Sequence, residues 1–203
     1  MLCVFSDASQ DAFGACAYIR QRTNGDKCHL RLIAAKSRVA PLKQLSVPRL
    51  ELQAAVLASL RLAKTIEQES ILQFKSVKLF SDSSITLAWL QNPSRNFKPF
   101  VSSRVGEIQS NTDPSQWRHI PGEVSVADDV SRGIRVEELN GRWSNGPEFL
   151  QLPEEFWPQE AMKAVSEKEM HMERRQVKVI CEVKKVEQAI NPEKFSSWRK
   201  LYG

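Results

Sequence analysis

The chain has 203 residues, of which 41% are hydrophobic and 26% charged, a balance typical of a soluble, globular protein. Charges interrupt its apolar runs well before the roughly 20 residues that a membrane-spanning helix needs. The formal net charge of +5 permits a polyanionic partner, but ten Lys or Arg against seven Glu lie from residue 160 onwards, so most of the excess belongs to the tail. The cysteines and histidines show no metal-ligand spacing, which argues against a zinc site and predicts free thiols at Cys3, Cys16, Cys28 and Cys181.

Three strand-like segments come first, connected by turn-rich sequence. They read LCVFS, FGACAYIR and CHLRLIAAKS. The Asn24-Gly25 pair between the second and third segments is a strong hairpin signal. Because the connections are short, the three segments predict an antiparallel meander.

Helical and strand-like segments alternate in the next part of the chain. SVPRLELQAAVLASLRLAKTIEQES predicts the main helix, with Ser46 as its cap, Pro48 in its first turn and an end near Ile66. There follow a strand (SVKLFSD), two helices (SITLAWLQN and FKPFVSSRVGEIQSN), a strand (QWRHI) and a short helix (VADDVSRG). The order β-β-β-α-β-α-α-β-α predicts an α/β fold with a mixed five-stranded sheet flanked by helices.

The character of the sequence changes after about residue 134. We predict one domain over residues 1–134, an extended strap or linker rich in Pro, Gly, Trp and Glu over 135–160, and a charged tail over 161–203. The tail includes VKVICEVKKVEQAI, a possible strand, and its last element looks cut off. Strand-like sequence also begins at residue 2, so we expect the chain to be one part of a longer protein.

Four acidic residues lie at ends of predicted elements. Asp7 ends the first strand, Asp82 ends the fourth, Glu51 lies early in the main helix and Asp128 heads the last helix. If strands one and four are neighbours, their carboxyl ends place Asp7 and Asp82 side by side, and a crossing helix can direct Glu51 to the same place. Clustered carboxylates stay ionised only near a cation, and Mg²⁺ prefers such oxygen ligands.

The motifs FSDAS, PRLELQAA, FSDSSITLAWL and VADDVSRG, in this order, resemble the ribonuclease H domain of BEL/Pao-type LTR retrotransposon polyproteins. HIPGE, leading into the last motif, is also similar, and RWSNGPEFL and SSWRKLYG resemble the segment between the ribonuclease H and integrase regions. The resemblance implies a ribonuclease-H-like fold and catalytic, metal-binding roles for Asp7, Glu51, Asp82 and Asp128. We favour Asp128 over Asp129 because its spacing to the Ser-Arg-Gly that follows is that of the family.

The same resemblance implies an activity and its partners. We expect cleavage of the RNA strand of RNA–DNA hybrids during reverse transcription, with Mg²⁺ or Mn²⁺ as cofactor and two ions at the site. The expected partners are the hybrid and the upstream reverse transcriptase and downstream integrase parts of the polyprotein, with no membrane. A virus-like particle in the cytoplasm is the implied location, with the nucleus as an alternative.

Four further residues are candidates for contacting the substrate: Ser9, Ser83, His119 and Arg132. Both serines have ordinary roles as alternatives, in a turn or a helix cap. His119 is the histidine nearest to the last acidic residue, although it also fits a strand end. Only NPSRNFKP separates the second and third helices, offering Arg95 and Lys98, which is too short for the basic insertion of some family members and predicts weak hybrid binding.

Two other functions remain open from the sequence. In the first, the domain is a ribonuclease-H-like tether without activity. In the second, it is a domesticated nucleic-acid-binding module that works through its basic tail. The presence of all four acidic residues favours the active enzyme, since an inactive site has no need of carboxylates that repel one another.

Overall fold

A mixed five-stranded sheet forms the centre of the structure, a computed structural model that describes residues 1–22, 28–159, 165 and 167–175. The strand order is β3-β2-β1-β4-β5, with β1 Leu2–Ala8, β2 Ala12–Arg22, β3 Cys28–Val39, β4 Val77–Ser81 and β5 Trp117–His119. β1, β2 and β3 are antiparallel, whereas β4 is parallel to both β1 and β5. The predicted sheet, its mixed character and the predicted order of elements are confirmed.

The helices follow the predicted order along the chain. They are α1 Val47–Val56, α2 Lys64–Glu69, α3 Ser84–Leu90, α4 Pro99–Gln109, α5 Asp128–Arg132 and α6 Glu167–Glu173. A wider, π-type segment at Leu57–Ala63 joins α1 to α2, so the main helix continues slightly beyond its expected end. Within the described ranges, no helix has the length and apolar character needed to cross a membrane.

The central strand β1 is buried along its whole length because both faces of the sheet are covered. Its side chains alternate between the faces: Leu2 and Val4 pack against the helices α1, α3 and α4, while Cys3 and Phe5 belong to a second apolar cluster on the opposite face. Burial raises the pKa of the Cys3 thiol to about 12, which makes this cysteine an inert core residue.

The strap covers the second face of the sheet. It runs as a series of short helical turns from Val136 to Phe156, and its Phe149, Leu150 and Trp157 pack in the cluster that contains Phe5. The strap therefore completes the apolar cluster on this face of the sheet.

Trp157 fixes the end of the strap. Its ring, 2% exposed, lies 5.8 Å from that of Phe80, with the guanidinium groups of Arg20 and Arg118 at 5.3 and 5.5 Å from its centroid. The buried Arg20 also donates from Nε to the carbonyl oxygen of Leu150 at 2.6 Å. One arginine thus joins the strap to the sheet by stacking and by hydrogen bonding.

Several predictions of local structure fall outside the described residues. These are the Asn24-Gly25 turn, the thiol of Cys181, the possible strand VKVICEVKKVEQAI and the final segment SSWRKLYG. The hairpin itself is confirmed, because β2 and β3 pair in antiparallel register up to Arg22 opposite Cys28.

We expect Trp157→Ala to reduce the free energy of unfolding by about 3–5 kcal/mol, because it leaves a cavity between Phe80 and Phe149. Urea denaturation measures this change. The neighbouring Phe156 is 67% exposed, so Phe156→Ala is the matched control and should change stability by less than about 0.5 kcal/mol. Equal effects of the two substitutions would show that the strap does not complete the core.

Candidate active site

The parallel pairing of β1 with β4 brings two carboxylates together. Ser6 lies opposite Ser81 in the register, so the next residues, Asp7 and Asp82, leave the sheet side by side at the same edge. Their carboxyl groups are close enough to share a hydrogen bond when one of them is protonated.

Glu51 and Asp128 reach this edge from elements on opposite faces of the sheet. α1, which carries Glu51, packs in the same cluster as Leu2 and Val4, whereas α5 follows Ala127, which lies in the second cluster. The charge of Glu51 interacts with those of Asp7 and Asp82, and so does the charge of Asp128. The structure thus brings together all four acidic residues that the sequence singles out.

Donors from the protein hold one oxygen on three of these carboxylates. The hydroxyl of Ser131 donates to Asp7 Oδ2, and the hydroxyl of Ser83 donates to Glu51 Oε2. Arg132 Nε donates to Asp128 Oδ1 at 2.5 Å. The donors to Asp7 and Glu51 are neutral hydroxyl groups, whereas Arg132, the cationic donor to Asp128, is exposed, so water screens its charge.

Mutual repulsion and burial raise the pKa values of the acidic groups. Burial, followed by the charges of Asp82 and Asp7, raises the pKa of Glu51 to about 7 against the hydrogen bond from Ser83. Burial and the charge of Asp7 raise the pKa of Asp82 to about 6. Burial and the charge of Asp128 also raise the pKa of Asp7, although the hydrogen bond from Ser131 opposes this shift. The cluster is therefore short of positive charge.

The adjacent acids Asp128 and Asp129 have different surroundings. Asp129, with a side chain 10% exposed, accepts from Arg142 of the strap through both oxygens, at 2.7 and 3.1 Å. Asp128 instead interacts with Asp7 and Asp82. The role of Asp128 as a metal ligand stays a prediction.

The cluster fits a divalent cation in the type of its donors. Carboxylate oxygens are the ligands that Mg²⁺ and Mn²⁺ take, and the buried Asp82 Oδ1 has no hydrogen-bond partner. In the part of the chain that the structure describes, no three acidic, Cys or His side chains stand as a ready-made ligand set. The hydrogen bonds from Ser83, Ser131 and Arg132 occupy three carboxylate oxygens, so these side chains must adjust to ligate an ion.

Gly14 allows α5 to lie against the sheet next to Asp7. It is paired with Asp7 across the hairpin, and a Cβ at this position would stand 2.3 Å from Val130 Cγ1 and 2.9 Å from the carbonyl oxygen of Lys36. A side chain larger than hydrogen at this position forces Val130 or the β3 backbone to shift, and Val130 lies in the same short helix as Asp128.

The predicted substrate-contact residues lie around the acidic cluster, but most are already hydrogen-bonded. The hydroxyl of Ser9 is 2.9 Å from the carbonyl oxygen of Ser131, and Ser83 caps α3 by accepting from the amide of Thr86 at 3.1 Å. His119 Nε2 lies 3.1 Å from the carbonyl oxygen of Asp82, and its buried Nδ1 has no partner. The side chain of Arg132 is 66% exposed.

Two residues that the sequence analysis did not assign also shape the site. Ser131 follows Asp128 by three residues, so the two side chains share one side of a helix. This spacing was a usable signal that Ser131 belongs to the site, where its hydroxyl contacts Asp7. Gly122 lies in the HIPGE segment, where a Cβ would approach Asp82 Oδ2 to 3.0 Å. Nothing in the local sequence indicates that Gly122 lies close to Asp82, because the two residues are forty positions apart.

Comparisons with known proteins agree with the sequence motifs. Residues 1–83 match the family model of the Pao retrotransposon-like RNaseH-like domain, which confirms the predicted resemblance over that range. No curated protein matches the chain. Among solved structures, LC11-RNase H1 in complex with an RNA/DNA hybrid is 12% identical with a TM-score of 0.40, over 62% of this chain and 89% of that one. RNase H1 from the archaeon Halobacterium salinarum NRC-1 is 12% identical with a TM-score of 0.38, over 60% and 86%.

We expect Gly14→Ala to lower the free energy of unfolding by about 1–3 kcal/mol, because the added methyl group overlaps Val130. Urea denaturation measures the loss, and the double variant Gly14→Ala/Val130→Ala should recover part of it. Gly141→Ala is the matched control, because a Cβ there meets nothing within 4 Å. A Gly14→Ala variant as stable as this control would contradict the close packing of α5.

We also expect the melting temperature in chelator to fall as the pH rises from about 5 to about 8, by roughly 5 °C. The folded state keeps protons on Glu51 and Asp82 up to about pH 7 and 6, whereas the unfolded chain loses them near pH 4. The stability that these protons supply is complete below pH 4 and is lost as the pH rises through the folded-state values.

Two comparisons make this test specific to the cluster. The variant Glu51→Gln/Asp82→Asn should show a flatter pH profile, and Mg²⁺ at pH 8 should raise the melting temperature of the unmodified protein more than that of the variant. Identical pH profiles for the two proteins would show that burial does not raise these pKa values.

Proposed function

We propose that this chain is a metal-dependent endonuclease that cleaves the RNA strand of RNA–DNA hybrids during reverse transcription of a retrotransposon. The observation that carries the proposal is the convergence of Asp7, Glu51, Asp82 and Asp128 at one edge of the sheet. The match of residues 1–83 to the Pao retrotransposon-like RNaseH-like domain supports the choice of a nuclease over other uses of clustered carboxylates.

The four carboxylates are the proposed ligands of two Mg²⁺ or Mn²⁺ ions. When bound, such ions lower the pKa of an attacking water and stabilise the oxygen that leaves the phosphodiester. The contribution of the chain is to hold its carboxylates in place: Ser131 orients Asp7, and Ser83 orients Glu51. Since the carboxylates repel one another, cation binding and ionisation of the cluster support each other.

The residues around the acidic cluster suggest how a hybrid is held. Arg132 is exposed and close to Asp128, so its guanidinium group is placed to contact a backbone phosphate beside the cluster. Ser9 and Ser83 are proposed to contribute through the backbone amides near them, since their hydroxyl groups are already engaged. A ribose 2′-hydroxyl is the group by which the site tells RNA from DNA.

The proposed biological setting is a retrotransposon polyprotein. In that setting, a reverse transcriptase part precedes this domain and supplies the hybrid, an integrase part follows it, and both work in a virus-like particle in the cytoplasm. The polymerase part also brings the hybrid to a domain whose α3–α4 loop, residues 91–98, carries only Arg95 and Lys98 as basic residues.

The test is cleavage of an RNA–DNA hybrid labelled on its RNA strand. We expect cutting of that strand with Mg²⁺ or Mn²⁺, none with chelator, and at least about a hundredfold slower cutting by Asp82→Asn, because a carboxylate ligand is lost. Single-stranded RNA and double-stranded DNA of the same sequence should stay intact. If RNA in the hybrid also stays intact with a reverse transcriptase domain fused upstream, the chain is an inactive tether.

Asp128 and Asp129 offer a matched pair for the same assay. Asp128→Asn should abolish cutting, whereas Asp129→Asn should retain most of it, because Asp129 lies outside the cluster and the Asn side-chain oxygen can still accept from Arg142. The melting temperatures of both variants show whether a loss of activity reflects unfolding. The reverse pattern would assign the fourth ligand to Asp129.

A further inference from the structure

The chain beyond the strap returns to the α3–α4 loop and pairs with it. Phe97 and Arg174 form an antiparallel bridge. The amide of Lys98 donates to the carbonyl oxygen of Glu173 at 2.7 Å, and the amide of Arg175 donates to that of Asn96 at 2.8 Å. These contacts between backbone groups align the returning segment with the loop.

Glu173 anchors the returning segment to α1. Its buried carboxylate accepts from Arg49 through both oxygens, at 2.8 and 3.1 Å, and the guanidinium group of Arg49 lies 4.9 Å from the centroid of the Phe100 ring. Met170, one helical turn earlier, packs against the main core. The bidentate geometry and partial burial make this a stronger pair than an ordinary surface salt bridge.

The docking gathers basic side chains at one place. Arg174 and Arg175 are exposed and lie alongside Arg95 and Lys98, which are exposed on the loop itself. The negative charge of Glu173 is neutralised by Arg49, so it does not offset them. We call these four residues, Arg95, Lys98, Arg174 and Arg175, the basic seam.

We propose that the basic seam binds the phosphate backbone of the RNA–DNA hybrid away from the scissile bond. This inference rests on the proposed function and adds a substrate-binding surface to it. Arg and Lys side chains that neutralise phosphates supply affinity and register without reading sequence. The docked segment thus doubles the number of basic side chains that the short α3–α4 loop can present.

The position of the seam favours a nucleic acid over an acidic protein. Arg49, which anchors the seam, is two residues from Glu51 in α1, so the seam and the acidic cluster are joined through the first turns of one helix. A duplex seated on the cluster extends past it with a phosphate about every 3.4 Å along each strand, and in this proposal the phosphates beyond the cluster are the ones that the seam contacts.

The first test measures hybrid binding by fluorescence anisotropy in chelator, where no cleavage takes place. We expect Arg174→Gln/Arg175→Gln to weaken binding of a 20-base-pair hybrid roughly tenfold and to reduce the slope of log K against log salt by up to about 2. The control is Arg61→Gln/Lys75→Gln, which removes the same charge from exposed positions elsewhere. A loss of binding affinity no larger than in this control would overturn the proposal that the seam binds the hybrid.

Two more measurements separate the seam from its alternatives. The first is a competition assay that compares polyglutamate with DNA carrying the same number of negative charges. If polyglutamate displaces the hybrid as effectively as this DNA does, the surface serves an acidic protein. If RNA stays intact even with a reverse transcriptase domain fused upstream, while hybrid binding still depends on Arg174 and Arg175, the nuclease is refuted and the hybrid-binding role of the seam remains.

A change at the anchor tests the docking itself. Glu173→Ala removes a negative charge, which by charge alone strengthens hybrid binding. It also releases Arg49 and loosens the returning segment. We therefore expect weaker binding than in the unmodified protein, measured at a temperature at which the variant is still folded. Binding as tight as that of the unmodified protein, or tighter, would show that docking does not build the surface.

Discussion

The parallel pairing of β1 with β4 is the constraint on which the candidate site depends. In the antiparallel hairpins β1–β2 and β2–β3, neighbouring strands end at opposite edges, so only the parallel neighbours bring two carboxyl ends together. Asp7 and Asp82 occupy those ends. Burial raises the pKa of both groups, and the charge of Asp7 raises that of Asp82 further. The fold thus creates a surplus of negative charge at one edge, and this surplus is the reason for proposing a divalent cation there.

The strap connects the site with the second face of the sheet. Arg142 pairs with Asp129 and contacts the carbonyl oxygen of Glu123, while the hydroxyl of Tyr18 donates to the carbonyl oxygen of Trp143 at 2.6 Å. Through these bonds one segment holds both α5 and the turn that precedes it. The orientation of Asp128 is therefore set from two sides, by the close approach of α5 to Gly14 and by the strap beyond it.

Local sequence predicted the elements and the four acidic residues, but not the contacts that orient them. Strand ends and helix starts are local properties, so Asp7, Glu51 and Asp82 could be placed from motifs and spacing alone. The bonds from Ser131 to Asp7 and from Arg49 to Glu173 join residues 124 positions apart, and they exist only after the sheet and helices have packed. The same holds for the stacking of Arg20 on Trp157, since an arginine in a strand gives no sign of the ring it will meet.

The order of the strap in the chain has a consequence for synthesis of the protein. Phe5 and Phe80 emerge from the ribosome early, but the ring that covers Phe80, that of Trp157, comes roughly two dozen residues after the last helix of the sheet domain. At about 5–20 residues per second, the second face of a nascent sheet stays open to water for some seconds. During that interval its apolar surface is available to chaperones or to another nascent chain, so the domain becomes independent only when translation has passed the strap.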